Sequence, residues 1–118
     1  MQDRELLELA AKADGLIVRK NTEMVDSEDR FIGLRVREDV KSPYRTWNPL
    51  TDDGDALRLA IDLGMDLQLE GEMNHPHAVS VCEMKSGAFA REALSSDKRA
   101  STRRAIVRTA AGIGRDMP

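Results

Sequence analysis

The apolar periodicity of this chain changes four times between its ends, and that alternation limits the architecture more than any other feature. Leu6, Leu7, Ala10 and Ala11 recur at helical spacing with Asp3, Arg4, Glu8 and Lys12 on the other side, which predicts a helix over residues 2–14. Asp3 and Glu5 suit its positive N-terminus, and Gly15 after Asp14 ends it. Leu16-Ile17-Val18 is then a short β-branched run, and residues 32–37 alternate apolar with other residues. These two segments, separated by the polar stretch 19–30, predict a hairpin. Ser42-Pro43 and Asn48-Pro49 mark residues 38–50 as a loop.

Helical spacing returns after Thr51-Asp52-Asp53-Gly54-Asp55, which offers N-capping side chains to a helix over Ala56–Leu63 that Gly64 closes. Asp55, Arg58 and Asp62 form its single wet stripe. A helix apolar around the rest of its circumference needs cover on more than one side, either from a sheet and a neighbouring helix or from a second subunit, so a homodimer is one of the two arrangements that would supply it. Residues 65–69 alternate again, predicting a strand with Met65, Leu67 and Leu69 inward. Residues 71–76 read as a turn, 78–84 as a strand, and 88–90 as a short further strand. The last helix runs from Ser96 or Asp97 to about Ile113, with Ala105, Ile106, Thr109, Ala110 and Ile113 on one face and Arg104, Arg108 and Arg115 opposite. Residues 116–118 are expected to fray.

The order α-β-β-α-β-β-α predicts one α+β domain over residues 1–118, a mostly antiparallel sheet of four to five strands packed with three helices as a sandwich. A chain of 118 residues has room for one core, and two Phe, one Tyr and one Trp leave that core to aliphatic side chains. No run of even twelve apolar residues occurs and the N-terminus does not read as a signal peptide, so no membrane association and a cytoplasmic location are expected. A single cysteine, Cys82, cannot close an internal disulfide.

The net charge of −3 hides an asymmetry. Residues 1–84 carry 10 Lys/Arg against 18 Asp/Glu, whereas residues 85–118 carry 8 against 3. The basic set is Lys98, Arg99, Arg103, Arg104, Arg108 and Arg115. It reads as a face that pairs with the acidic part of the same molecule or of a symmetry mate, as a contact for an acidic patch on a partner protein, or as a phosphate-binding stripe, the last through Arg104, Arg108 and Arg115. A pI near 5.4 and few aromatic residues disfavour nucleic acid.

Three segments carry a resemblance: MQDRELLELAAKADG, WNPLTDDGDALRLAIDLGM and ASTRRAIVRTAAGIG. They resemble small accessory proteins of temperate phages and prophages in the phage ABA-sandwich domain family, whose members commonly show a Trp-Asn-Pro-Leu turn leading into an Asp-rich helix start. The match covers roughly 50 of the 118 residues and leaves 19–46 and 70–95 outside it. It implies a helix–sheet–helix sandwich and a phage or prophage origin in a bacterial host cytosol. The family brings no established activity.

Chemistry-bearing residues are sparse. His75, His77 and Cys82 lack the spacing of a zinc site, and Asp52, Asp53 and Asp55 cap a helix more simply than they bind calcium, since Arg58 and Leu59 fall where later ligands belong. Gly112-Ile113-Gly114 follows a helix and so is no phosphate loop. No nucleophile and base stand in a recognisable arrangement, so no enzyme, metal or cofactor is expected. Binding to a host or phage protein remains, as in an anti-CRISPR-like inhibitor. Its candidate contacts are the acidic residues Glu23, Asp26, Glu28, Asp29, Glu38 and Asp39, together with Trp47, which reads either as a partner anchor or as the cover of the second helix.

Overall fold

The computed structural model describes all residues except 20–23, 29 and 73. Its elements run α1 (Asp3–Ala13), β1 (Ile17–Val18), β2 (Met24–Val25), β3 (Phe31–Arg37), β4 (Arg45–Trp47), α2 (Asp53–Leu63), β5 (Asp66–Glu72), β6 (His75–Glu83), β7 (Ala88–Ala93) and α3 (Lys98–Arg115). The α+β class and the three helices are those expected. The strands, however, divide between two antiparallel sheets instead of forming one sheet of four to five, and the element order is α-β-β-β-β-α-β-β-β-α.

In the first sheet β3 is the shared strand. Val36 pairs with Val18 of β1 and with Arg45 of β4, so β1 and β4 flank it on opposite edges, while β2 pairs with its beginning. Strand β4 lies inside the stretch expected to be a loop. It occupies three of the four residues between the two X-Pro pairs, and pairing with β3 supplies what local pattern does not. Gly33 makes that approach possible: at φ 149° a Cβ would stand 2.8 Å from the Trp47 carbonyl oxygen.

The second sheet has the order β5-β6-β7. Residues 75–76, expected in the turn, begin β6 instead. Leu67 and Leu69 lie across from Val81 and Val79, so they share the face that turns toward α3. Val79 and Val81 are buried there, yet Leu67 and Leu69, on the edge strand, remain 45% and 61% exposed. The inward placement expected for them is therefore corrected. A two-residue period reports which side chains share a face; whether that face is covered depends on elements far away in sequence.

One continuous core joins these layers. Leu6, Leu7, Ala10 and Ala11 of α1, Leu34 and Val36 of β3, Ala56, Leu59 and Ala60 of α2, Val79 and Val81 of β6, and Ala105, Ile106, Val107, Ala110 and Ala111 of α3 belong to it. Helix α1 packs on β3 and on α3, and α3 packs on α2, β6 and β7. The α1–α3 crossing is close enough that a Cβ on Gly114 would fall 2.0 Å from the carbonyl oxygen of Leu9. Among the described residues, no helix is long and apolar enough to cross a membrane.

Candidate partner-binding surface

Trp47 ends β4 and is 2% exposed, so the anchor reading is excluded and the indole belongs to the core. The turn after it is organised by Asn48. Its Nδ2 donates to the Ile32 carbonyl at 3.0 Å, its Oδ1 accepts from the Leu50 N–H at 3.0 Å, and its own N–H donates to Asp55 Oδ2 at 3.0 Å. Asp52 then caps α2 by accepting from the Asp55 N–H at 2.8 Å. Asp55, expected on the wet stripe, is buried, and its Oδ1 accepts from Arg58 at 2.7 Å. The Trp-Asn-Pro-Leu turn and its aspartates thus work as a structural joint between the first sheet and α2.

The acidic residues that are described do not form one surface. Glu23 and Asp29 lie outside the described residues. Asp26 accepts from the Arg30 and Glu28 N–H groups at 3.0 and 2.9 Å and from Arg30 Nε at 2.8 Å, which holds its carboxyl below the usual range, the Arg30 N–H contributing most. Glu28 sits 3.5 Å from the same guanidinium. Glu38 is held low by Arg45 at 2.6 Å, and Asp39 by the Lys41 N–H and by Ser42, at 2.8 and 2.9 Å. Asp26 and Glu28 precede β3, and Glu38 and Asp39 follow it. Seven strand residues at about 3.3 Å each hold the two groups roughly 20 Å apart.

The basic helix face is likewise tied into the molecule. Arg103 donates to the Leu50 carbonyl at 2.8 Å and to Asp53 at 2.6 Å, Arg104 reaches Asp3 at 3.1 Å, and Arg108 pairs with Glu92 and donates to the Arg91 carbonyl at 3.3 Å. Arg115 is exposed in the last turn of α3. The acidic and basic parts of the chain therefore meet within one molecule. His75 and His77 are exposed and Cys82 is half-buried; among the described residues no three His, Cys, Asp or Glu side chains gather as metal ligands.

No family model, curated protein or solved structure matches the chain.

Two features escaped the sequence reading. The carboxyl of Asp14, at the end of α1, is pushed up to about 7 by burial and by a hydrogen bond shared with Asp62 of α2, with Arg45 acting the other way. The second feature is an apolar groove of about 360 Å³ between α2, β5 and α3. Leu57, Leu67, Leu69, Pro76, Leu94 and Ile106 line it, and Lys98 and Arg99 stand at its edge from the first turn of α3. Leu57 is 60% exposed. The broadly apolar circumference of the second helix was the signal for this groove, because α2 buries Ala56, Leu59 and Ala60 and leaves Leu57 and Ile61 outside. The contributions of Pro76 and Leu94 depend on tertiary structure and carry no local signal.

Proposed function

We propose that this chain is a non-enzymatic accessory protein that acts by binding another protein through the groove between α2, β5 and α3. The observation that carries this reading is the exposure of Leu57, Leu67 and Leu69 side by side in one concave, apolar site. Contiguous exposed apolar surface costs about 25 cal/mol per Å² relative to burial, and on soluble proteins larger patches of it mark interaction sites. The chemistry that fits is an apolar side chain inserted between the leucines, flanked by an acidic residue facing Lys98, since Arg99 already stands 3.8 Å from Asp53.

A phage or prophage origin, action in a bacterial host cytosol, and an anti-CRISPR-like role against host defence complete the proposal. Their support is the resemblance of the three segments. In that setting the acids at the two ends of β3 would steer an encounter electrostatically instead of forming the contact itself. Nucleic-acid binding through Arg104, Arg108 and Arg115 has less support, because Arg104 and Arg108 hold carboxylates of their own chain.

Affinity purification from bacterial lysate tests the proposal. The unaltered chain and a Glu28→Lys/Glu38→Lys variant should recover the same protein, and a Leu67→Glu/Leu69→Glu variant should lose it. Equal recovery by the groove variant, or no partner for the unaltered chain, would overturn the reading.

A further inference from the structure

The outer face of α2 is a separate feature from the groove, which it borders through Leu57. Leu57 and Ile61 stand one turn apart, 60% and 67% exposed, on the side of the helix away from buried Leu59 and Ala60. Arg58 and Asp62 repeat the same four-residue step beside them. An antiparallel crossing of this helix with an identical one, centred between Leu59 and Ala60, brings each Leu57 to within one residue of the level of Ile61 of the other copy and each Arg58 to within one residue of the level of Asp62 of the other copy. Both an apolar pair and an opposite-charge pair are thereby made twice by one two-fold axis, which is the condition for an isologous interface.

We infer that the outer face of α2 is a self-association surface whose occupant is the same face of a second copy, packed antiparallel. The charges beside the apolar pair favour this partner and this geometry. Arg58 already donates to Asp55 at 2.7 Å and stands 3.8 Å from Asp52, both through Nη2, but a guanidinium has five N–H donors and this side chain is more than half exposed, so Nη1 and Nε remain for a carboxylate of another copy. Asp62 is exposed and shares a hydrogen bond with Asp14, so the pair, with Arg45 nearby, still carries a negative charge that a cation of another copy would meet. The other route to a dimer, continuation of the second sheet across the β5 edge, is opposed by charge. Strand β5 carries Asp66, Glu70 and Glu72, and although Arg91 holds Glu70 at 3.0 Å, antiparallel self-pairing centred on Leu69 sets Asp66 against Glu72 of the other copy.

The size of the surface sets its strength. An 11-residue helix is about 16 Å long, and alone it falls short of the roughly 800 Å² per partner typical of a stable complex. The dimer is thus a reversible one, forming in the range of about 10–100 μM. This inference shares the apolar face with the proposed function but does not require a foreign partner.

Sedimentation velocity of the full chain from about 5 to 500 μM tests it. The expected result is a concentration-dependent rise from one protomer towards two, with association weakened at least tenfold by Ile61→Asp. Arg58→Asp and Asp62→Arg should each weaken association, and the combined Arg58→Asp/Asp62→Arg swap should restore it, because the swap rebuilds the opposite pair across the axis. Circular dichroism melts of each variant separate loss of association from loss of folding, and the exposed Ile61→Asp change keeps the test open if a charge variant unfolds. A protomer mass at all concentrations, or association indifferent to Ile61→Asp, would overturn the inference. A monomer that still captures a partner through Leu67 and Leu69 would leave the proposed function standing; a dimer that captures nothing would remove that function and keep this surface.

Discussion

At the scale of single residues, the same side-chain chemistry took different roles according to burial. Trp47 offered two readings from sequence, and the packing of β4 against β3 decides for the core. Asp52 was legible as a cap because its position before an apolar helical run is a local property. Asp55 was read on the wet stripe, and its burial comes from Asn48 and Arg45, which the fold brings from the other side of the joint. Asp14 was legible only as a helix end, since its partner Asp62 lies 48 positions away. Its raised pKa has a definite consequence for stability. The folded chain keeps the Asp14 proton up to about pH 7, whereas the unfolded chain releases it near 3.8, so folding takes up a proton between these values and stability falls as pH rises through that window. Asp14→Asn should flatten this dependence and stabilise the chain near pH 8 by about 1 kcal/mol, a modest figure because a half-exposed carboxylate is partly solvated. Urea unfolding of both forms near pH 5 and near pH 8 checks it.

At the scale of elements, the three helices were legible because each combines a 3.6-residue apolar period with a cap or a glycine stop. Strands β3 and β6 were legible by alternation. Strand β4 was not, because three residues between two prolines have no period to read, and β2 was lost within a polar stretch. The α1–α3 contact shows how an element's sequence can encode an approach. Gly112 and Gly114 are two residues apart in the same helix, yet a Cβ at 112 would meet only Ala88 at 3.9 Å, whereas one at 114 would overlap the Leu9 backbone. Gly112→Ala should therefore stabilise the chain by about 0.5–1 kcal/mol through helix propensity. Gly114→Ala should destabilise it by at least about 2 kcal/mol by forcing the helices apart. Thermal or urea unfolding of the two variants would show opposite signs.

At the scale of the whole molecule, the charge asymmetry resolves into contacts between elements. Arg103 joins α3 to the start of α2, Arg104 joins it to α1, and Arg108 joins it to β7. Each exposed pair contributes no more than about 1 kcal/mol, so their main effect is to occupy arginines that would otherwise present a cationic stripe. Asp26 and Glu28 fall at one end of β3 and Glu38 and Asp39 at the other, so these four do not form a single surface. The apolar outer side of α2, which the sequence marked as needing cover, joins the leucines of β5, which the sequence placed inward, as the most distinctive surface once the core is assembled. The central claim is that the groove beside α2, and neither charged region, receives a partner. Photo-cross-linking in bacterial lysate tests this most directly, with a photoreactive phenylalanine derivative placed in turn at positions 69, 28 and 38. The account predicts an adduct with a foreign protein from position 69 and none from positions 28 or 38. Adducts from the acidic positions with none from position 69 would contradict it.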